Sequence, residues 1–426
     1  MTEFEKAVSI LKKASRSGSR LGLERIFELA ALIGDPQDKP KTVHVAGTNG
    51  KGSFCAMLSS VLTAQGYKTG TFSSPVMLKE NDCVRIDGRP VSEKIFADAV
   101  IRTAETSEGM TDKPTEFELL SAAAFLIFAE QDCDFAVIEC GMGGDGDSTN
   151  IIRRPMLSVI TNVTIDHCAY LGNTTAEIAS HKAGIIKSGV PVFFGGEDAA
   201  AFEVIRRRAE LMDAELYTPE ISAFDPLDCE GVGARYKGEE YRVLLKGSYQ
   251  YKNLISVLTC IEILRSEGVD LTVNAVKRGL KSVRWEGRFE QLCSDPVVIF
   301  DGAHNSDGME SFCNSIRCRF GDVKPALLIG VLADKDYRSY ADMLRPLVGR
   351  VFAIAPNNPR ALPSRELAEC FNGLCLPTEP FPSVSEGFAA AYAYCCEHRL
   401  PLLVAGSLYM YSDIVKEVER IKTKCK

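Results

Sequence analysis

The sequence lacks the long apolar run that a membrane-spanning helix requires. Its longest strongly apolar stretch, residues 119–129, includes a serine and falls short of the roughly 18 to 20 residues that cross a bilayer. The first residues also lack a secretory apolar core. We therefore expect a cytoplasmic protein that has no membrane partner.

Positive charge is also scarce. Lysine and arginine number 49 against 57 aspartate and glutamate residues, so the net charge is −8. This balance disfavours nucleic acid as a partner and leaves room only for a local basic pocket that binds a small anion. The 15 cysteines are scattered without a Cys-x-x-Cys pair, which is typical of reduced thiols in a cytoplasm.

A length of 426 residues exceeds what one core usually supports, so two or three domains are expected. Alternating strand and helix patterns predict an α/β protein. We expect a mainly parallel N-terminal domain like those of P-loop NTPases and a smaller, Rossmann-like C-terminal α/β domain. Both periodicities break around residues 283–296. The predicted domains are 1–284 and 297–426, with a linker at 285–296, and a small antiparallel region is expected within 215–245.

Residues 42–53 predict a strand, a glycine-rich loop and a helix, which together form a phosphate loop. The loop consists of Gly47, Thr48, Asn49, Gly50, Lys51, Gly52 and Ser53. Its glycines let the backbone approach a ligand closely, the helix start directs N–H groups at an anion, and Lys51 adds a positive charge. A standard loop has Ser or Thr directly after the lysine to hold Mg²⁺, but here Gly52 takes that place. Another residue should therefore hold the metal.

Polar side chains after three other predicted strands are candidates for that metal site. Glu139 ends one strand, Ser74 follows another, and His167 follows a third. Carboxylate and hydroxyl oxygens suit a hard cation, whereas histidine is a less usual ligand for it. Glu139 in a salt bridge and His167 in a structural hydrogen bond remain the ordinary alternatives.

Other polar positions are ambiguous on the residues alone. Thr174 and Glu177 form a capping box that predicts a helix ending at Gly189, and Lys182 within it reads as a solvated lysine. In the second half, polar residues follow a predicted strand at positions that suit either a turn or a ligand crevice. These residues are Asp301, His304 and Asn305, with Arg288 before the strand as a candidate phosphate clamp.

Several motifs in one order resemble the folylpolyglutamate synthase and dihydrofolate synthase family of the Mur ligase superfamily. The motifs are residues 47–53, 73–75, 141–150, 166–167 with 171–172, 182–187, 301–305 and 406–409. The resemblance covers nearly the whole chain. It implies an ATP-dependent, ADP-forming ligase that adds glutamate to a folate through an acyl phosphate.

The resemblance also implies roles for individual residues. Catalytic roles fall to Lys51, Lys182, His167 and Arg288, and ATP contacts to the 47–53 loop, Asn253, Arg288 and Asp301. The metal ligands are Ser74, Glu139, His167 and Lys182, the last as a carbamate that holds a second Mg²⁺. His304, Ser407 and Phe117 match substrate-binding positions. A monovalent cation is a further candidate cofactor, and we expect a monomer.

Some residues depart from the family pattern, and other functions stay open. Val76 and Met77 replace a usual His-Leu or Phe-Ile pair, and His181 stands where many relatives have glutamate. The choice between glutamylating folates, glutamylating dihydropteroate, or both is therefore undecided. A non-catalytic P-loop module is an alternative of another class. A GTPase is disfavoured because residues 334–336 do not form its guanine-reading motif.

Overall fold

The computed structural model describes residues 1–15, 18, 20, 22–228 and 232–424. Within them, one compact unit spans Met1–Asp225, Ala234–Leu244 and Lys252–Arg284, and a second spans Pro226–Gly233, Leu245–Tyr251 and Trp285–Lys426. The predicted helical region 4–33 and antiparallel region 215–245 each contain a few residues that lie outside this description.

A large sheet organises the first unit. Its strands are β1 (Lys41–Ala46), β2 (Thr69–Phe72), β3 (Val84–Ile86), β4 (Arg89–Pro90), β5 (Phe135–Glu139), β6 (Leu157–Ile160), β7 (Val192–Phe194) and β8 (Leu216–Tyr217). They lie in the order β4-β3-β2-β5-β1-β6-β7-β8, and only the pairings of β3 are antiparallel among these strands. The carboxyl ends of β2, β5, β1 and β6 therefore meet at one edge.

Helices precede, connect and follow these strands along the chain. They are α1 (Glu3–Ser15), α2 (Glu24–Leu32), α3 (Lys51–Gln65), α4 (Glu93–Thr106), α5 (Glu116–Glu130), α6 (Cys168–Leu171), α7 (Thr175–Lys182), α8 (Ala199–Leu211), α9 (Gln250–Ser266) and α10 (Val273–Ser282). The apolar run at 119–129 belongs to α5 and is buried along its whole length, as expected for a helix that is apolar on every side. Within the described residues, no helix is long and apolar enough to cross a membrane.

Helix α7 ends earlier than the sequence pattern predicted. Its capping box between Thr174 and Glu177 is confirmed, but the α-helix stops at Lys182 and a 3-10 turn, Ala183–Ile185, follows. The prediction that the helix continues to Gly189 is therefore wrong. The reason is tertiary packing: an added Cβ at Gly184 would lie 2.4 Å from Cβ of Asp145, so the chain bends where the neighbouring loop presses against it.

Short strands follow β8 along the chain. They are β9 (Phe224–Pro226), β10 (Gly233–Tyr236) and β11 (Glu239–Arg242), in the order β11-β10-β9. The two-residue connection between β10 and β11 uses Lys237 and Gly238 at positive φ, the geometry of a hairpin turn.

The second unit has its own sheet and helices. Its strands are β12 (Glu290–Ser294), β13 (Val297–Phe300), β14 (Ala326–Ile329), β15 (Arg350–Ala353), β16 (Thr378–Pro380) and β17 (Leu402–Ala405). Its helices are α11 (Ser306–Phe320), α12 (Tyr337–Leu344), α13 (Ser364–Gly373), α14 (Val384–His398) and α15 (Tyr411–Lys424). The sheet order is β12-β13-β17-β14-β15-β16, parallel apart from β12.

Two features of the second unit bear on the sequence predictions. The segment 285–296, expected as a linker, contains β12, which pairs with β13 and so belongs to the sheet. The predicted fold class is confirmed, because a large, mainly parallel sheet forms the N-terminal part and a separate α/β sheet the C-terminal part.

Candidate active site

The loop after β1 has the geometry of a phosphate loop. Gly47 has φ +149° and Gly50, which caps the start of α3, has φ +85°. A Cβ at Gly47 would lie 1.9 Å from Oγ1 of Thr161, so no larger residue fits there. The amides of the first turn of α3 have no acceptor earlier in the helix, which makes this end suitable for an anion.

Residues at the end of β6 brace this loop. Oδ1 of Asn162 accepts hydrogen bonds from the backbone N–H groups of Thr48 (3.2 Å) and Asn49 (2.8 Å). Oγ1 of Thr161 donates to the backbone oxygen of Asn49 at 2.7 Å. Sequence reasoning missed Thr161 and Asn162. Their bracing role depends on β6 lying beside β1, which no local pattern reveals.

Two lysines converge on one backbone oxygen of the loop. Nζ of Lys182 donates to the oxygen of Gly47 at 2.9 Å, and Nζ of Lys51 donates to the same oxygen at 3.1 Å and to that of Thr48 at 3.2 Å. Lys182 is 3% exposed. Burial, followed by the charge of Lys51, lowers the pKa of Lys182 to about 7. Lys182 is thus a buried group at the phosphate loop, and its interpretation as a solvated lysine is wrong.

The candidate metal ligands follow neighbouring strands of this sheet. Glu139 ends β5, is 5% exposed, and places Oε1 3.9 Å from Nζ of Lys51. Ser74 follows β2 and is half-buried, whereas His167 follows β6 and is exposed, with φ +53° and its backbone N–H donating to Asp166. In the described part of the chain, no three His, Cys, Asp or Glu side chains form a ready metal site. A cation here would need hydroxyl or phosphate oxygens besides the Glu139 carboxylate, which is the donor set that Mg²⁺ prefers.

Two further predicted residues lie in the first unit. Oδ1 of Asn253, on α9, faces the loop so closely that a Cβ at Gly50 would be 2.5 Å from it. Phe117 packs on the backbone of Gly141, where a Cβ would lie 2.5 Å from its ring, and its ring centroid lies 5.8 Å from that of Phe72.

The other predicted residues lie in the second unit, around Asp301 at the end of β13. Oδ2 of this buried carboxylate accepts from the hydroxyl of Tyr249 (2.7 Å) and the N–H of Phe289 (2.9 Å), while Oδ1 accepts from the N–H of Ala303 (2.8 Å). Burial nevertheless raises the pKa of Asp301. Tyr249 was missed by sequence reasoning, because it precedes Asp301 by some fifty positions on another element.

The chain segments that follow β13 and β17 approach each other, since these strands are parallel neighbours. Nη1 of Arg288 would lie 2.4 Å from a Cβ at Gly302, and Cδ2 of Leu408 would lie 2.2 Å from it. His304 lies close by, with Nδ1 2.8 Å from the oxygen of Gly302. Ser407 is 2% exposed, and its hydroxyl accepts from the N–H of Tyr409 at 3.3 Å.

The class of protein follows from comparison with known families. The Mur ligase middle domain matches residues 45–261, and the Mur ligase glutamate ligase domain matches residues 287–408. The chain has the phosphate loop and the two α/β units of that class, and it is a Mur ligase. Within this class it belongs to the dihydrofolate synthase and folylpolyglutamate synthase family.

The assignment to this family rests on individual relatives. Dihydrofolate synthase/folylpolyglutamate synthase of Bacillus subtilis is 33% identical over 98% of this chain and 100% of the relative. Folylpolyglutamate synthase of Lacticaseibacillus casei is 34% identical over 92% of each chain. A crystal structure of Mycobacterium tuberculosis folylpolyglutamate synthase complexed with ADP and AMPPCP is 27% identical, covers 98% of both chains and has a TM-score of 0.87. The structure of Escherichia coli FolC in complex with DHPP and ADP is 26% identical, covers 99% of this chain and 98% of that chain, and has a TM-score of 0.85.

Proposed function

We propose that this protein is an ATP- and magnesium-dependent ligase that joins L-glutamate to a folate and releases ADP and phosphate. The observation that carries the proposal is the convergence of Lys51, Lys182 and Glu139 on the loop at Gly47. Relatives named as folylpolyglutamate and dihydrofolate synthases supply the substrate class. The complex of one solved relative with ADP and AMPPCP supports ATP as the nucleotide.

ATP is assigned to a set of residues that includes the phosphate loop. In the first unit these are the loop residues Gly47, Thr48, Asn49, Gly50, Lys51, Gly52 and Ser53, together with Asn253; in the second they are Arg288 and Asp301. Lys51 is a positive charge next to the glycine turn and would bind the outer phosphates. Transfer of phosphate to a folate carboxylate develops charge on phosphoryl oxygens, which the lysine, the arginine and the amides stabilise.

The metal is assigned to Ser74, Glu139, His167 and Lys182. Mg²⁺, when bound, neutralises charge on the phosphoryl oxygens. Lys182 would serve as a carbamate: its neutral amine attacks CO₂, a C–N bond forms and one proton leaves, so a cation becomes an anionic oxygen ligand for a second ion. Its burial beside Gly47 and its pKa of about 7 support this step, because a neutral amine is then available near neutral pH. A monovalent cation is a further candidate.

The remaining assignments concern the other substrates. We assign His304 and Ser407 to the incoming glutamate, and Phe117 to substrate binding in the first unit. The amine of glutamate attacks the acyl phosphate, a C–N bond forms and phosphate leaves. Residues 1–284 would then form the ATP-binding domain and 297–426 the glutamate-ligase domain, within a cytoplasmic monomer.

The test is a substrate-dependence assay with product analysis. Purified protein should release ADP only when a folate, glutamate and Mg²⁺ are all present, and mass spectrometry should find a product heavier by one glutamate. ATP turnover without folate, and without such a product, contradicts a ligase. Nucleotide binding with no turnover at all favours the non-catalytic module.

A second candidate function is dihydrofolate synthesis, alone or alongside the first. Relatives from Bacillus subtilis, Mycobacterium tuberculosis and Escherichia coli are each named for both activities. Dihydropteroate and tetrahydrofolate offered in separate reactions distinguish the alternatives. Glutamylation of both substrates makes the enzyme bifunctional, and glutamylation of one assigns it a single activity.

A further inference from the structure

The loop of residues 140–150, hereafter the 140–150 loop, is packed tightly against the end of α7. The N–H of Asp145 donates to the oxygen of His181 at 2.8 Å, and Nδ2 of Asn150 donates to the oxygen of Gly184 at 3.2 Å. A Cβ at Gly144 would lie 2.7 Å from the oxygen of His181 and 3.0 Å from that of Lys182. The loop therefore fixes the backbone that carries Lys182.

A buried hydrogen-bond chain holds the same loop to β1. The carboxylate of Asp147 accepts from the N–H of Met142 at 2.8 Å and from the N–H (3.0 Å) and hydroxyl (2.5 Å) of Thr149. Oγ1 of Thr149 in turn lies 2.8 Å from Nε2 of His44, a residue of β1. His44, Thr149 and Asp147 are each at most 4% exposed.

The donor and acceptor of each hydrogen bond in this series can be assigned from the groups at its two ends. The backbone N–H groups can only donate to Asp147, and the hydroxyl of Thr149 donates to the same carboxylate. The oxygen of Thr149 then accepts from Nε2 of His44, which therefore carries the hydrogen of the imidazole. Sγ of Cys140, in the same loop, lies 3.1 Å from this nitrogen and can accept from it as well. Burial lowers the pKa of His44 to about 3, so the ring is neutral. Its Nδ1 has no hydrogen-bond partner among the described residues, as suits a nitrogen without a hydrogen.

We infer that His44 is a positioning residue for the ligase chemistry. Through Thr149 and Asp147 it holds the 140–150 loop in the arrangement that seats Lys182 on the oxygen of Gly47. The inference rests on the proposed function for its catalytic consequence, but its structural content concerns only these residues. An apolar side chain at this position of β1 would fill the core without burying a polar group. A buried imidazole is therefore explained by the hydrogen bond that it donates.

The discriminating variants are His44→Gln and His44→Asn in the full-length protein. A glutamine amide nitrogen reaches the position of Nε2 and still donates to Thr149, whereas the asparagine nitrogen stops near the position of Nδ1. Thr42→Val is the matched control, because Thr42 lies on the same face of β1 and is buried, and in the described contacts its hydroxyl bonds only to the backbone oxygen of Pro40.

Two measurements are made on each variant. The first is the rate at which acetic anhydride labels Lys182 in CO₂-free buffer, read by peptide mass spectrometry relative to the exposed Lys237. The second is kcat with KM for glutamate. We expect His44→Asn to label Lys182 about tenfold faster and to lose about tenfold in kcat at unchanged KM, with His44→Gln and Thr42→Val within about threefold of the wild type.

Equal labelling and equal kcat in the Gln and Asn variants overturn the inference, as does a loss of kcat that follows unfolding temperature alone. If His44→Asn does not fold, Thr149→Val and Thr149→Ser make the same comparison, because serine keeps the hydroxyl and valine removes it. A wild-type protein that glutamylates no folate contradicts the proposed function, whereas the labelling rates still decide whether His44 positions Lys182.

Discussion

Nζ of Lys182 lies 2.9 Å from the backbone oxygen of Gly47, the first residue of the phosphate loop. Lys51 donates to the same oxygen, so two lysine side chains meet at one acceptor. Their mutual repulsion, added to burial, favours the neutral form of Lys182. We propose that Lys51 supplies a cation for phosphate and that Lys182, at the end of α7, supplies an amine that can be modified.

Replacing Lys182 with alanine tests that second role. We expect Lys182→Ala to lower kcat by about 100-fold or more, because the proposed carbamate, an anionic ligand for the second Mg²⁺, can no longer form. Short carboxylic acids added to the assay should partly restore activity by supplying the missing carboxylate. Lys237→Ala, at an exposed ion pair with Glu262, is the control and should stay at the wild-type rate. A fully active Lys182→Ala enzyme removes the carbamate from the mechanism.

Gly144 provides an independent way to displace Lys182. Its φ is not in the positive region, yet an added Cβ would press on the oxygens of His181 and Lys182, both of which are backbone atoms. We expect Gly144→Ala to lower the unfolding free energy by about 2 kcal/mol through overpacking, and to lower kcat as well. Gly109→Ala is the control, since nothing lies within 4 Å of its added Cβ. Equal unfolding midpoints and rates for the two variants would show that the close approach is unimportant.

The buried imidazole of His44 should make stability depend on pH. In the unfolded chain its pKa returns to about 6.5, whereas in the folded chain it is about 3. Between these values the unfolded state binds the extra proton, so the unfolding free energy falls as the pH falls, by up to about 1.4 kcal/mol per pH unit from this residue. Above pH 6.5 both states are neutral and His44 contributes no slope.

The measurement is urea unfolding of the wild type and His44→Gln from about pH 7 to about pH 5. Because glutamine does not titrate, the wild type should lose about 2 kcal/mol more than the variant over that range. Parallel stability curves for the two proteins would mean that His44 takes up its proton equally in both states.

Local chemistry explains which features the sequence predicted. The strand end at Glu139 and the capping box of Thr174 and Glu177 were predicted from patterns within a few residues, and the structure confirms them. The bonds of His44 to Thr149 and of Asn162 to the phosphate loop were not predicted. They exist because β1 lies between β5 and β6, and that strand order depends on tertiary packing of the whole sheet.

The residues of the candidate site likewise include some that the sequence predicted and some that it did not. Glu139 could be placed at a strand end beside the loop, because carboxyl ends of parallel strands share an edge. The burial of Lys182 could not be anticipated, since its helix pattern resembles that of a solvated face, whereas Gly47 of the phosphate loop and the 140–150 loop lie against it in the folded chain. Periodicity reports what a residue contributes to its own helix and says nothing of a loop that packs over its end.

A hydrogen bond from Tyr249 stabilises the carboxylate of Asp301 in the second unit. This carboxylate is buried and accepts a hydrogen bond from the hydroxyl of Tyr249 at 2.7 Å. Tyr249→Phe removes that donor and leaves a buried charge less well solvated, so we expect a loss of about 1.5 to 3 kcal/mol in unfolding free energy. Tyr340→Phe is the matched control, because its hydroxyl donates to the neutral backbone oxygen of His304 and its removal should cost about 1 kcal/mol. Urea unfolding of the full chain compares them, and equal losses would mean that Tyr249 does not stabilise the charge of Asp301.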